Sequence, residues 1–159
     1  MGYVPRRMTD VLGVPVAIAG DPRAAVKHAD IVTCATTSKT PVVFGTDLAP
    51  GTHVDAVSAF SPAAREDDTE VVRRARIVVD SYGGALEEAG DLLIPLAEGA
   101  IERGMIVAEL SELVADPRRG RTAADQVTLF KSVGFALEDL ATARLAYTWA
   151  IARGIGTVL

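Results

Sequence analysis

Three consecutive hydroxyl side chains, Thr36, Thr37 and Ser38, follow an apolar run at residues 31–35. If that run is a strand, the segment Cys34, Ala35, Thr36, Thr37, Ser38 lies at its carboxyl end, where open α/β sheets bind ligands. Backbone N–H groups and hydroxyls there suit hydrogen bonds to a polar ligand. An ordinary strand-to-loop turn would carry the same residues. Cys34 has no basic neighbour in sequence to favour a thiolate, so it reads as a small buried hydrophobe and not as a nucleophile. A second run, residues 53–59, carries His53, Asp55 and Val57. His53 reads as a packed or capping histidine before it reads as a base. Asp80, Glu88, Asp91 and Glu109 form no recognisable metal-ligand set and read as caps and solvated carboxylates. Lys131, Ser132 and Val133 open a long helical stretch, whose first turn carries the positive end of the helix dipole. There Lys131 is either part of a site or a solvated surface charge.

A dinucleotide's pyrophosphate calls for a Gly-rich turn between an early strand and a helix, because only glycine lets the backbone approach so closely. No G-x-G-x-x-G or G-x-G-x-x-A occurs. Gly83-Gly84 and Gly154-x-Gly156 do not sit between an early strand and a helix. A P-loop is absent as well.

The elements that would position these residues alternate. Short runs rich in valine and isoleucine lie at residues 14–19, 31–35, 53–59 and 77–80, with a weaker one at 105–108. They are apolar on both sides, as expected for parallel strands covered by helices on both faces. Asp21 caps a helix that begins at Pro22 and runs to about Ala29. Ser61-Pro62 starts a second that runs to Arg74, with Glu66, Asp67 and Asp68 in its early turns, where the dipole favours acids. Strand and helix in alternation predict an α/β fold. Residues 116–121 form a polar turn. Residues 131–153 hold no proline and predict a helix of about 30 Å at ~1.5 Å per residue. Its apolar side chains occupy more than one face, so a second domain or another subunit is expected to cover it.

The chain has 159 residues, 49% hydrophobic and 23% charged, with a net charge of -5. That suffices for one domain with a core and argues against disorder. The acidic balance argues against nucleic acid and acidic membranes as partners. One cysteine excludes an internal disulfide framework and a cysteine-ligated zinc site. A reducing cytoplasm is the default location. No apolar run reaches the ~20 residues of a membrane span, and residues 1–10 lack the apolar core of a secretory signal.

The segments ADIVTCATTS (29–38), GTHVDAV (51–57), EEAGD (87–91), AEL (108–110) and LFKSVGFALEDL (129–140), in this order and spacing, resemble the later half of the ornithine cyclodeaminase/mu-crystallin family. The resemblance implies homodimeric enzymes of roughly double this length. In them a first domain supplies substrate-binding Lys and Arg residues and the dimer surface, a Rossmann domain binds NAD or NADP, and the last helix returns to the first domain. It implies that residues 1–127 are a partial NAD(P)-binding Rossmann domain whose parallel sheet lacks its first two strands, and that residues 128–159 are the long C-terminal helix.

By the same resemblance, Cys34, Ala35, Thr36, Thr37 and Ser38 lie along the nicotinamide ribose and pyrophosphate. Asp55 and Val57 lie near the nicotinamide, with Val57 against the ring, and Ser132 and Val133 lie beside it. Members commonly carry Asn at the position of Asp55 and Gly at that of Ser58. True cyclodeaminases place a proton-transferring Asp at the position of Phe60, and a phenyl ring moves no proton. The chain therefore resembles the branch that reduces cyclic imino acids or oxidises small amino acids. The expected reading is the cofactor-side portion of such an enzyme, with little or no activity alone. Its expected partners are a small amino acid or cyclic imino acid in the intact enzyme, and a second copy or a missing N-terminal half. A non-catalytic remnant or association subunit, a ligand carrier, and a true ornithine cyclodeaminase are the alternatives.

Overall fold

Apolar runs become strands where a neighbour is present to pair with them. The computed structural model describes residues 3–157, and in it five such runs form one parallel sheet. The strands are β1 (Ile31–Cys34), β2 (His53–Ala56), β3 (Arg76–Val79), β4 (Ile106–Glu109) and β5 (Thr128–Lys131). Their order across the sheet is β1-β2-β5-β3-β4. In register, Cys34 stands beside Ala56, Ala56 beside Lys131, and Val79 beside Lys131. The α/β expectation holds.

The described residues also form seven α-helices: α1 (Tyr3–Leu12), α2 (Pro22–Val26), α3 (Thr69–Arg74), α4 (Tyr82–Glu88), α5 (Gly90–Ala97), α6 (Leu110–Ala115) and α7 (Ala136–Ala152). Asp21 caps α2 as expected, accepting from the Arg23 N–H at 2.9 Å. The core lies on one sheet face. Val54, Ala56, Ile77, Val79 and Leu129 point into it and meet Val71 and Val72 of α3 and Leu92 of α5.

Several expectations need correction. Residues 14–19 form no strand: no neighbour pairs with them, Val14 and Ile18 are exposed, and the Val16 N–H donates to Thr9 Oγ1 at 2.9 Å. The strands are not covered alike on both faces. β2 and β5 alternate, with His53, Asp55, Thr128 and Phe130 on the face opposite the core. The helix expected from Ser61 begins only at Thr69, capped by Asp68, which accepts from the Val71 N–H at 2.8 Å. Glu66 and Asp67 precede it and are wholly buried, so they are not early-turn acids facing solvent.

The division at residue 128 also shifts. Residues 128–131 are the middle strand of the sheet, flanked by β2 and β3, and the last helix begins at Ala136. Lys131 closes a strand and does not open a helix. Within this chain α7 has no buried residue, although its apolar side chains lie all round it. The covering expected for α7 is not supplied by the described residues of this chain.

Candidate active site at the carboxyl edge of the sheet

The sheet is parallel, so every strand ends on the same edge and the connecting loops leave side by side. The Val57 N–H donates to the Cys34 carbonyl at 3.0 Å, and the Ser132 N–H donates to the Ala56 carbonyl at 3.0 Å. These bonds carry the ladder one step past the strands. They bring Ala35, Val57 and Ser132 together where the loops begin. Thr36, Thr37 and Ser38 continue from the first loop. The Thr36 hydroxyl accepts from the Ser38 N–H at 3.1 Å, and the Ser38 hydroxyl donates to the Thr40 carbonyl at 2.7 Å. Both hydroxyls thus shape their own turn, and Thr37 stays exposed. A cleft of about 240 Å³ lies between residues 36–39 and the stretch 59–61, with Phe60 on its wall, 71% exposed.

Buried charges hold these loops from below. Glu66 accepts from the Thr36 N–H at 2.7 Å through Oε1 and from the Ser58 N–H at 3.2 Å through Oε2. One carboxylate therefore joins the loops after β1 and β2. The backbone of Glu66 is fixed in turn: its N–H and that of Asp67 donate to Asp91 Oδ1 at 2.7 and 2.9 Å. Lys131 Nζ lies 2.8 Å from Asp91 Oδ2 and donates to the Ser58 carbonyl. Lys131 and Asp91 are both 0% exposed, so neither is the solvated charge that one reading of each proposed.

Asp80 does the same for the loops after β3 and β5. Its Oδ2 accepts from the Ser132 hydroxyl at 2.9 Å and from the Val133 and Gly134 N–H groups at 2.8 and 2.9 Å. Its Oδ1 accepts from the Ser81 N–H at 2.7 Å. Gly134 has a φ of 95°, which glycine adopts without strain. Asp80 is buried and is not a solvated carboxylate. Glu109 does cap a helix, α6, with Glu112 completing a capping box.

Two candidate residues lie elsewhere. Cys34 points into the core, and burial, reinforced by the charges of Asp67 and Glu66, pushes its thiol up to about 12. It is the buried hydrophobe the sequence suggested. Asp55 faces the side of the sheet away from the core. It accepts from the Thr33 hydroxyl at 3.3 Å and lies 3.0 Å from His53 Nε2, while His53 Nδ1 is 2.7 Å from Thr128 Oγ1. This polar chain borders a groove of about 470 Å³ between the sheet and α6, apart from the cleft at the strand ends.

Sequence reasoning missed Glu66, Asp67, Asp80 and Asp91 as groups beneath the site and left Lys131 open between a site residue and a surface charge. A charge's burial depends on partners remote in sequence, and the only local signal was that Asp91 and Lys131 fall within shared segments. Among the described residues, no cluster of His, Cys, Asp and Glu could hold a metal ion, and no helix is long and apolar enough to cross a membrane.

The strand-end loops offer a cleft with an apolar wall and the exposed hydroxyl of Thr37, features that suit a nicotinamide nucleotide. The same residues offer no Gly-rich turn into a helix for a dinucleotide's pyrophosphate. Among known proteins, structural neighbours of this chain are solved with NADH or NAD+. A Delta(1)-pyrroline-2-carboxylate reductase of Colwellia psychrerythraea is 46% identical over 123 residues, which is 77% of this chain and 39% of that protein. The solved Delta(1)-pyrroline-2-carboxylate reductase of Thermococcus litoralis, in complex with NADH and L-proline, superposes with a TM-score of 0.91 at 44% identity, over 98% of this chain and 48% of that one. The iminosuccinate reductase of Paracoccus denitrificans, solved with NAD+, superposes with a TM-score of 0.84 at 27% identity, over 96% of this chain and 46% of that one. The chain thus spans less than half the length of these relatives. The sequence profile of one family matches residues 4–153. This chain belongs to the ornithine cyclodeaminase/mu-crystallin family.

Proposed function

We propose that the chain forms the nicotinamide side of an NAD(P)-dependent reductase of cyclic imino acids, with a small amino-acid dehydrogenase as the neighbouring reading. The observation that carries it is the convergence of residues 35–38, Val57 and 132–133 at one sheet edge, each loop fastened by a buried carboxylate. Likeness to pyrroline-2-carboxylate reductases supports the substrate class. When bound, the cofactor supplies or accepts a hydride at its nicotinamide C4, and the protein's share is to orient it. In this reading the exposed Thr37 presents its hydroxyl to the ribose side, on a turn that Thr36 and Ser38 shape. Val57 and Val133 flank the ring, and Ser132 lies beside it with its hydroxyl held by Asp80. Asp55 lies outside this set because it faces the opposite groove.

Phe60 speaks against the cyclodeaminase alternative. It is exposed on the cleft wall and has no group to move a proton. It excludes water from that side instead. Groups that grip the substrate carboxylate and the pyrophosphate are assigned to polypeptide outside this chain.

Titration of the isotope-labelled chain with NADH and with nicotinamide mononucleotide tests the reading. Amide shifts are expected at Thr36, Val57, Ser132 and Val133, with little or no oxidation of NADPH by Δ1-pyrroline-2-carboxylate. Shifts at none of those amides would remove the cofactor-side assignment. Steady turnover by this chain alone would overturn the division of labour.

A further inference from the structure

Ala59 is the one non-glycine residue with a positive φ among the described residues, at 53°. That left-handed conformation crowds an L side chain and persists only where surrounding structure enforces it. The enforcing contacts are on either side of the preceding residue, Ser58. The Ser58 N–H is held by Glu66 Oε2 at 3.2 Å, and the Ser58 carbonyl is held by Lys131 Nζ. Glu66 and Lys131 are both fully buried, and Asp91 ties them to each other through the Glu66 N–H and through Nζ. The other Glu66 oxygen takes the Thr36 N–H across the cleft. Both walls of the cleft thus hang from one carboxylate, and the strained residue sits directly before Phe60.

We propose that Glu66, with Lys131 and Asp91 behind it, is a positioning group that forces the left-handed turn at Ala59 and so sets the separation between the 36–39 loop and Phe60. The proposal rests on the cofactor-side reading only for what enters the cleft. The brace itself is a property of the unliganded chain. A glutamate is required because one carboxylate must accept from two N–H groups at once. An amide in its place turns a donor toward one of them.

Residue-resolved amide exchange on the full chain tests this without any ligand. In the wild type the Thr36 and Ser58 amides are expected to be protected despite lying in irregular loops. In Glu66→Gln at least one of the two is expected to exchange tenfold faster or more, while Val54, Ile77 and Leu129 stay protected. Unchanged exchange at both amides in the folded variant would overturn the brace. A second pair of variants keeps the test decisive if Glu66→Gln does not fold: Ala59→Gly is expected to raise the thermal midpoint and Ala59→Val to lower it. The reverse order would mean that the turn is not forced. The positioning role is then read by NADH titration, where Glu66→Gln is expected to weaken binding at least tenfold with its core amides intact. Equal affinity would overturn it. A wild-type chain that binds no NADH would sink the cofactor-side reading, while the exchange result would still decide the brace.

Discussion

At the scale of single residues, the site is governed by how its buried ionisable groups are compensated. Lys131 faces Asp91 directly, and Glu66 is satisfied by backbone donors. Asp67 has neither: both of its carboxylate oxygens are buried without a hydrogen-bond partner. Burial, and then the negative charge of Asp91, raises its carboxyl well above the ordinary range. The folded chain therefore keeps a proton on Asp67 that the unfolded chain releases near pH 4. Below that pH both states are protonated and the stabilisation is complete. As pH rises above it, the unfolded state gains ground. Asp67→Asn removes this titration, so its advantage in urea-unfolding stability over wild type is expected to grow from pH 4 toward pH 8. Parallel pH profiles for the two proteins would contradict the account. None of this was legible in the sequence, where Asp67 stood as one of three adjacent acids at an expected helix start. Whether such a residue meets solvent or core is set by what packs on it.

At the scale of elements, the strands from β1 to β4 were legible as apolar runs, whereas the similar run at 14–19 has no neighbour to pair with and forms none. The start of α3 was not legible. Ser61-Pro62 is a good local start signal, yet the segment after it turns back so that Glu66 and Asp67 can meet Asp91. Tertiary contacts overrode the cap preference. α5 sets that arrangement through Gly90, where an added Cβ would overlap the Ala64 carbonyl oxygen and crowd that of Ser61. Backbone on both sides leaves no flexible side chain to move aside. Gly90→Ala is therefore expected to destabilise the fold by about 1–3 kcal/mol, the usual range for overpacking, as read by chemical denaturation. An unchanged midpoint would mean that the 61–64 turn is free to shift. β5 was misjudged for a related reason: residues 129–140 read as one continuous segment, although the chain changes from strand to helix within it. Asp80 imposes that change by gathering the Ser132, Val133 and Gly134 donors between the two elements.

At the scale of the whole molecule, the described residues leave an edge strand and the last helix uncovered. β1 is an edge strand with Ile31 exposed, and α7 exposes Leu137, Leu140, Leu145, Tyr147, Trp149 and Ile151. Apolar surface of that extent ordinarily marks an interface. The chain is expected to self-associate through α7, and Leu140→Glu with Leu145→Glu is expected to lower the mass seen by light scattering. Because neither side chain is buried, the thermal midpoint of the sheet should hold. A wild-type monomer at high micromolar concentration would refute this. By itself, the sequence determined the α/β class, four of the five described strands and the family, since local apolar patterning and ordered segments survive being read one stretch at a time. Only the tertiary structure decided which charges are buried, which face Asp55 takes, where the last helix begins and which loops share a carboxylate. Those depend on packing between segments far apart in the chain, and the energy of a buried charge is fixed by its neighbours in space.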